Sequence, residues 1–211
     1  MIEQVNFSSL PTVLWQKEIS RKCVDYVFRR YGCLDHFAVN FILPNKKIIN
    51  LCPNVGYIKS YTELGMGKHE NALAPWKLEG LPVVPWRLIS PDQNEWSYNK
   101  AVSFKETIHR LYSGMSFIHP VGDCYLNVAV ASKCSNKENM QTFFNNAEEI
   151  LNIGAFILSL FDQRIGEFYD YKMPNIDEIR LNDGHLEIID DFSKSWHDIG
   201  IISAHPSELL S

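Results

Sequence analysis

Little in this sequence would carry the chain into a membrane. No apolar stretch reaches the roughly 18 residues of a spanning helix. The longest, "ILNIGAFILSLF" at 150–161, reads as a buried helix. The N-terminal "MIEQVNFSSLPTVLWQKEIS" lacks a basic segment followed by an apolar run, so it does not read as a secretory signal. The 5 cysteines, Cys23, Cys33, Cys52, Cys124 and Cys134, form no CxxC pair. An odd number without that spacing points to reduced thiols in a cytoplasmic protein. A basic face is missing too. The chain has 20 Lys and Arg against 25 Asp and Glu, a net charge of -5, and its runs Arg29-Arg30 and Lys46-Lys47 are short enough to be solvated surface. That balance argues against nucleic acid as a direct partner. The 7 histidines show no HxxxH or HExxH spacing, so no metal site is expected. No phosphate loop or dinucleotide fingerprint occurs, and no cofactor is expected. Cys124, His119 and Asp123 make a weak nucleophile set, because neighbours on one strand and its turn point in different directions. The chain does not read as an enzyme.

What is present suits a globular domain. The chain has 211 residues, 45% hydrophobic and 12% aromatic, enough to bury a core. Residues 12–31 carry apolar side chains at helical spacing and end at Gly32. "HFAVNFIL" (36–43) and "KIINL" (47–51) read as a hairpin. A helix is expected from 54 to about 64, broken by Gly65 and Gly67, with a second helical piece over 68–77. "LPVVPW" is a short extended segment. A helix over 98–112 is ended by Gly114. "MSFIHPV" and "CYLNVAVAS" are strands around the turn residues Gly122 and Asp123. One long helix follows, over 136–161. This order predicts an α+β fold, an antiparallel sheet sandwiched between helices as in GAF- and PAS-like sensor domains, over residues 1–161. Residues 162–211 are polar and acid-rich, an extension with a hairpin at "IRLNDGHLEII" (179–189).

The candidate site lies in "GYIKSYTELGMGKHENALAPWKLEGLPVVPW", residues 56–86. Tyr57 and Tyr61 are four apart and share a helical face. Glu70 follows a glycine break that can fold the chain back toward that face. Trp86 follows Pro82 and Pro85, and Gly114 and Ser116 open a later strand. This ordered series resembles the autoinducer-binding domain of LuxR-type quorum-sensing regulators. Cys52-Pro53 falls where that family has Tyr-Pro, and Tyr57 where it has Trp. Tyr61 keeps the family's Tyr, Glu70-Asn71 replaces Asp-Pro, and Pro82 and Trp86 are kept.

The resemblance implies a pocket for a small amphipathic signal. In the family the first Trp donates to the lactone carbonyl of an acyl-homoserine lactone. The Asp accepts from the ligand amide, the Tyr donates to the acyl carbonyl, and the second Trp packs near the lactone. Carried over, the ligand-binding residues are Tyr57, Tyr61, Glu70 and Trp86, with the strand residues Ser116, Val128 and Val130 lining the floor. Tyr57 and Glu70 depart from the family pattern, so the ligand is an acyl-homoserine lactone or a different amphipathic signal. The implied mode is transcription regulation through protein contact, as a homodimer or a heterodimer with a full-length LuxR-type regulator. Two other readings stay open: a degenerate sensor fold acting purely as an interaction module, and a lactone- or acyl-handling enzyme.

The family's helix-turn-helix has no counterpart in 162–211, which is too short and too β-like. With a net charge of -5, this chain should show no sub-micromolar affinity for duplex DNA at physiological salt. Fluorescence anisotropy with labelled duplexes checks this, and tight binding would mean that the C-terminal segment has been misread.

Overall fold

The computed structural model describes residues 7–8, 25–75, 82–87 and 95–159. The expected helix before residue 25, the end of the domain at 161, and the extension 162–211 with its hairpin lie outside the described residues.

The strands are β1 (Phe7–Ser8), β2 (His36–Ile42), β3 (Ile48–Leu51), β4 (Val83–Pro85), β5 (Ser113–Val121) and β6 (Cys124–Ser132). They form one sheet in the order β1-β3-β2-β6-β5-β4. Every pairing is antiparallel except the short parallel edge of β1 on β3. The helices are α1 (Asp25–Arg30), α2 (Val55–Glu63), α3 (Glu95–Ser103), α4 (Lys137–Asn145) and α5 (Ala147–Ser159). The α+β sandwich expected from the order of elements is the fold observed.

The two faces of the sheet differ because strand side chains alternate. Phe37, Val39 and Phe41 of β2, Leu126, Val128 and Val130 of β6, and Met115 and Phe117 of β5 form one large cluster with Phe143, Ile150, Leu151 and Leu158 of α4 and α5. On the opposite face β2 shows His36, Ala38 and Asn40, and β6 shows Asn127, Ala129 and Ala131. The register places Ala38 beside Ala129 and Ala129 beside Ser116. Small and polar side chains leave depth on that face. It is covered by α2, α3 and the turns around them, packed through Tyr57, Ile58, Tyr61, Met66, Leu73 and Phe104.

The α4–α5 layer lies close to the sheet. A Cβ on Gly154 of α5 would overlap the Cγ2 atom of Val128. The long helix expected over 136–161 is in fact these two. The side chain of Asn136 caps α4 by accepting from the backbone N–H of Asn139 at 2.9 Å. Asn146 leaves the helical region (φ -112°, ψ 22°) and turns its amide back to the carbonyl of Thr142 at 2.7 Å. The local bond competes with the helix ladder and breaks it. The hydroxyl of Tyr31 donates to Glu149 Oε2 at 2.6 Å and fixes the end of α1 to α5.

On the other side the chain is less regular. Asn54 caps α2 by accepting from the N–H of Tyr57 at 2.9 Å. Gly65 ends it in the left-handed region, with φ 59°. Two 3₁₀ turns follow, Met66–His69 and Asn71–Leu73, in place of the expected second helix. Helix α3 runs into one π turn, Phe104–Ile108.

Gly154→Leu should destabilise the fold by about 1–3 kcal/mol through overpacking against Val128. Pairing it with Val128→Ala should recover part of that loss. Urea unfolding of the two single variants and the double variant measures the coupling, and additive effects would mean that the two residues do not touch.

Candidate functional site

A pocket lies between the small-residue face of the sheet and the α2–α3 layer. His36, Ala38, Asn40, Asn127, Ala129 and Ser116 form its floor, and Tyr57, Tyr61, Glu70, Trp86 and Lys105 its wall and roof. Its volume is about 40 Å³. That is room for a few waters or a small head group, and well below the roughly 300–1,000 Å³ of a drug-sized ligand site.

The floor is built by register. Asn50, Asn40 and Asn127 stand side by side on β3, β2 and β6. The amide of Asn50 donates to Asn40 Oδ1 at 2.5 Å, and that of Asn40 to Asn127 Oδ1 at 3.4 Å. The amide of Asn127 then donates to the backbone carbonyl of Ala72 at 2.5 Å, tying the ladder to the turn beyond Glu70. These buried amides are partnered, as buried polar groups must be.

The wall is aromatic. Tyr57 and Tyr61, one turn apart on α2, stack with centroids 5.7 Å apart, and Phe104 meets both edge-on at 5.3 and 5.6 Å. His36 lies 4.4 Å from Tyr57 and 5.7 Å from Trp86. Trp86 is held at three points. Its backbone N–H donates to the carbonyl of Gly114 at 2.9 Å, and its indole N–H donates to Ser116 Oγ at 3.2 Å. Its ring lies flat on Gly114, where a Cβ would overlap the indole. Gly114 therefore sits inside β5 to admit the ring; the preceding helical segment has already ended before it.

The polar centre is an ion pair. Lys105 Nζ lies 2.7 Å from Glu70 Oε2, with the side chains 4% and 10% exposed. The same ammonium stands 4.3 Å from the Trp86 ring centroid, a cation–π distance. Glu70 Oε1 and His36 Nδ1 are buried without a hydrogen-bond partner. Burial, then the charge of Lys105 and His109, holds the His36 imidazole down at about 3, so it is neutral at physiological pH. Burial first, then the charge of Glu70, pushes the hydroxyls of Tyr57 and Tyr61 well above their usual value, so both remain protonated.

Of the residues expected at the site, the fold brings Tyr57, Tyr61, Glu70, Trp86 and Ser116 to one pocket. Val128 and Val130 do not reach it. They belong to the opposite cluster, and Val128 packs on Gly154. The alternation of β6 gives the pocket Asn127 and Ala129 instead. The donor to Glu70 is Lys105, which the sequence reading did not place at the site. Lys105 had a signal in the sequence. Ala101, Phe104, Lys105 and Ile108 occupy one stripe at helical spacing, and a lysine within an apolar stripe asks for a buried partner. Asn40, Asn50 and Asn127 were equally visible, each in the middle of a β-forming run.

Cys124 lies in the apolar cluster on the far face, away from this pocket. Among the described residues no group of three His, Cys, Asp or Glu could hold a metal ion, and no helix is long and apolar enough to cross a membrane.

No protein-family model and no curated protein matches the chain. Among solved structures it is similar to SdiA in complex with octanoyl-rac-glycerol, with a TM-score of 0.49 and 11% identity over 94% of this chain and 78% of that one. It is also similar to Escherichia coli SdiA, with a TM-score of 0.44 and 10% identity over 91% of this chain and 96% of that one.

His36 makes stability depend on pH. Its folded-state value of about 3 lies below the ordinary 6.5. Between those values the unfolded chain binds a proton that the folded chain does not. Stability should therefore fall as pH drops below about 6.5, by up to about 1.4 kcal/mol per pH unit from this residue. His36→Gln should flatten that slope between about pH 6.5 and 5. Denaturant unfolding across the range measures it, and an unchanged slope would show that His36 titrates normally.

Proposed function

We propose that this chain is a cytoplasmic small-molecule-sensing domain whose ligand enters between the β2–β6–β5 floor and the α2–α3 layer. In this reading it signals through protein contact, as a homodimer or with a full-length LuxR-type regulator, and not by contacting DNA itself. Glu70 carries the proposal. A buried carboxylate oxygen with no partner is costly, about 1–3 kcal/mol for an unsatisfied group, and Oε1 is such an oxygen beside a cavity. A ligand N–H or O–H would satisfy it. Tyr57, Tyr61 and Trp86 offer flat apolar faces to the rest of a head group, and the proton retained on each tyrosine makes it a donor to a carbonyl.

A second reading has its own support. The polar centre is already paired within the chain, and the remaining space is about 40 Å³. A sensor fold that closes on itself can act as an interaction module without any ligand. An acyl tail would fit only with the α2–α3 layer displaced outward.

Native mass spectrometry of freshly purified protein separates the two. A retained small molecule, or a rise in Tm with an acyl-homoserine lactone panel or 1-octanoyl-glycerol, supports the sensor. Neither result, with a stable dimer or a captured LuxR-type partner, supports the module. For a ligand that binds, Glu70→Ala should weaken affinity by about 1.5–3 kcal/mol, the range for a hydrogen bond to a charged group. Glu70→Asp should shift preference toward acyl-homoserine lactones. Calorimetry checks both, and unchanged affinity in Glu70→Ala would remove Glu70 from the binding site.

A further inference from the structure

The most unusual side chain in the pocket is Lys105. Lysine is seldom fully buried unless paired, yet Lys105 is 3% exposed while Ile108, on the same turn, is 55% exposed. A regular helix would place residues three apart on the same face. The π turn Phe104–Ile108 winds more widely, and it sends the lysine inward and the isoleucine out. The stem of Lys105 reaches into the pocket, and its ammonium ends against the Glu70 carboxylate and the face of Trp86. A carboxylate at 2.7 Å and an indole face at 4.3 Å are what a protein offers an alkylammonium ligand.

The geometry points to Lys105 as the pocket's own ligand, and to a primary alkylammonium as the class of molecule that fits its place. The inference deepens the sensor proposal and rests on its pocket. Charge decides the ligand class. A neutral lactone that displaced the Lys105 ammonium would leave the Glu70 charge buried with hydrogen bonds alone, and an unpaired buried charge is expensive. An amphipathic amine exchanges one ammonium for another. Glu70 stays paired, Trp86 keeps its cation, and the released Lys105 regains water. Glu70 Oε1 and His36 Nδ1, both unpartnered at the edge of the remaining space, can take further N–H donors from such a head group.

Truncation and chemical rescue test this in the full chain. Lys105→Ala should lower Tm by roughly 10 °C, as expected for breaking a buried pair in a chain of this size. Millimolar n-propylammonium should restore most of that loss, while 1-propanol and tetramethylammonium should not. The double variant Glu70→Gln/Lys105→Ala removes both charges, and it should fold and ignore the amine. If Lys105→Ala alone does not fold, refolding in n-propylammonium should recover it. Failure to recover it, while the double variant folds, overturns the inference. So does a Lys105→Ala protein as stable as the parent, a rescue equalled by propanol, or an amine response that survives in the double variant. A parent protein that binds no lactone, lipid or amphipathic primary amine while Lys105→Ala is rescued sinks the sensor proposal and leaves the assignment of Lys105 standing. A lactone response without rescue does the reverse.

Discussion

Two charges 2.7 Å apart, almost out of reach of water, hold together the least regular part of this molecule. Glu70 lies between the two 3₁₀ turns that follow α2, and Lys105 lies on the π turn that ends α3. Neither segment is α-helical, so the i→i+4 ladder of an α-helix does not fix its path. The ion pair joins them, Trp86 covers the ammonium, and Arg87 reaches Glu106 on the same turn at 2.7 Å. The exposed Arg87 contact adds little energy. The buried pair is different. Removing one partner would strand the other charge in the core, so the two are far more tightly coupled than any surface pair. The pocket's roof is therefore fixed by electrostatics, where most of the core is fixed by apolar packing.

The floor obeys a simpler rule. Where they floor the pocket, the central strands send bulk to one face and small or polar side chains to the other. Phe37, Val39 and Phe41 face α5, while Ala38 and Asn40 face the pocket. The α4–α5 layer can then approach closely enough to require Gly154. The α2–α3 layer stands off, and the gap is filled by the rings of Tyr57, Tyr61, Trp86 and Phe104. One sheet thus carries a dense core on one side and a site on the other.

Much of this could be read before any coordinates. The hairpins were legible because β-forming runs end in turn residues, and the pattern Tyr57, Tyr61, Glu70, Trp86 marked residues that do meet at one pocket. What failed was parity. In "CYLNVAVAS" both faces are buried, so nothing local says which set faces which layer, and a shift of one residue exchanges them all. Placing valines in the pocket followed from expecting an apolar cavity. The fold uses its bulk for the α5 contact and gives the pocket Asn127 and Ala129. The split at Asn146 was hidden for another reason: the apolar spacing continues through it, and only the side-chain bond to Thr142 interrupts the helix.

The same asymmetry says where any change in pocket occupancy would be felt. The face packed on α4 and α5 has no slack, because Gly154 already touches Val128. The other layer is built of short turns, stacked rings and one ion pair, and local openings are cheapest where regular structure is sparse. Lys105 and Ile108 share a single turn, one pointing into the pocket and the other into solvent. A side chain that leaves the pocket must rewind that turn. Rewinding it moves an apolar residue on the surface. Inside and outside are three residues apart, and the π turn is the element that links them.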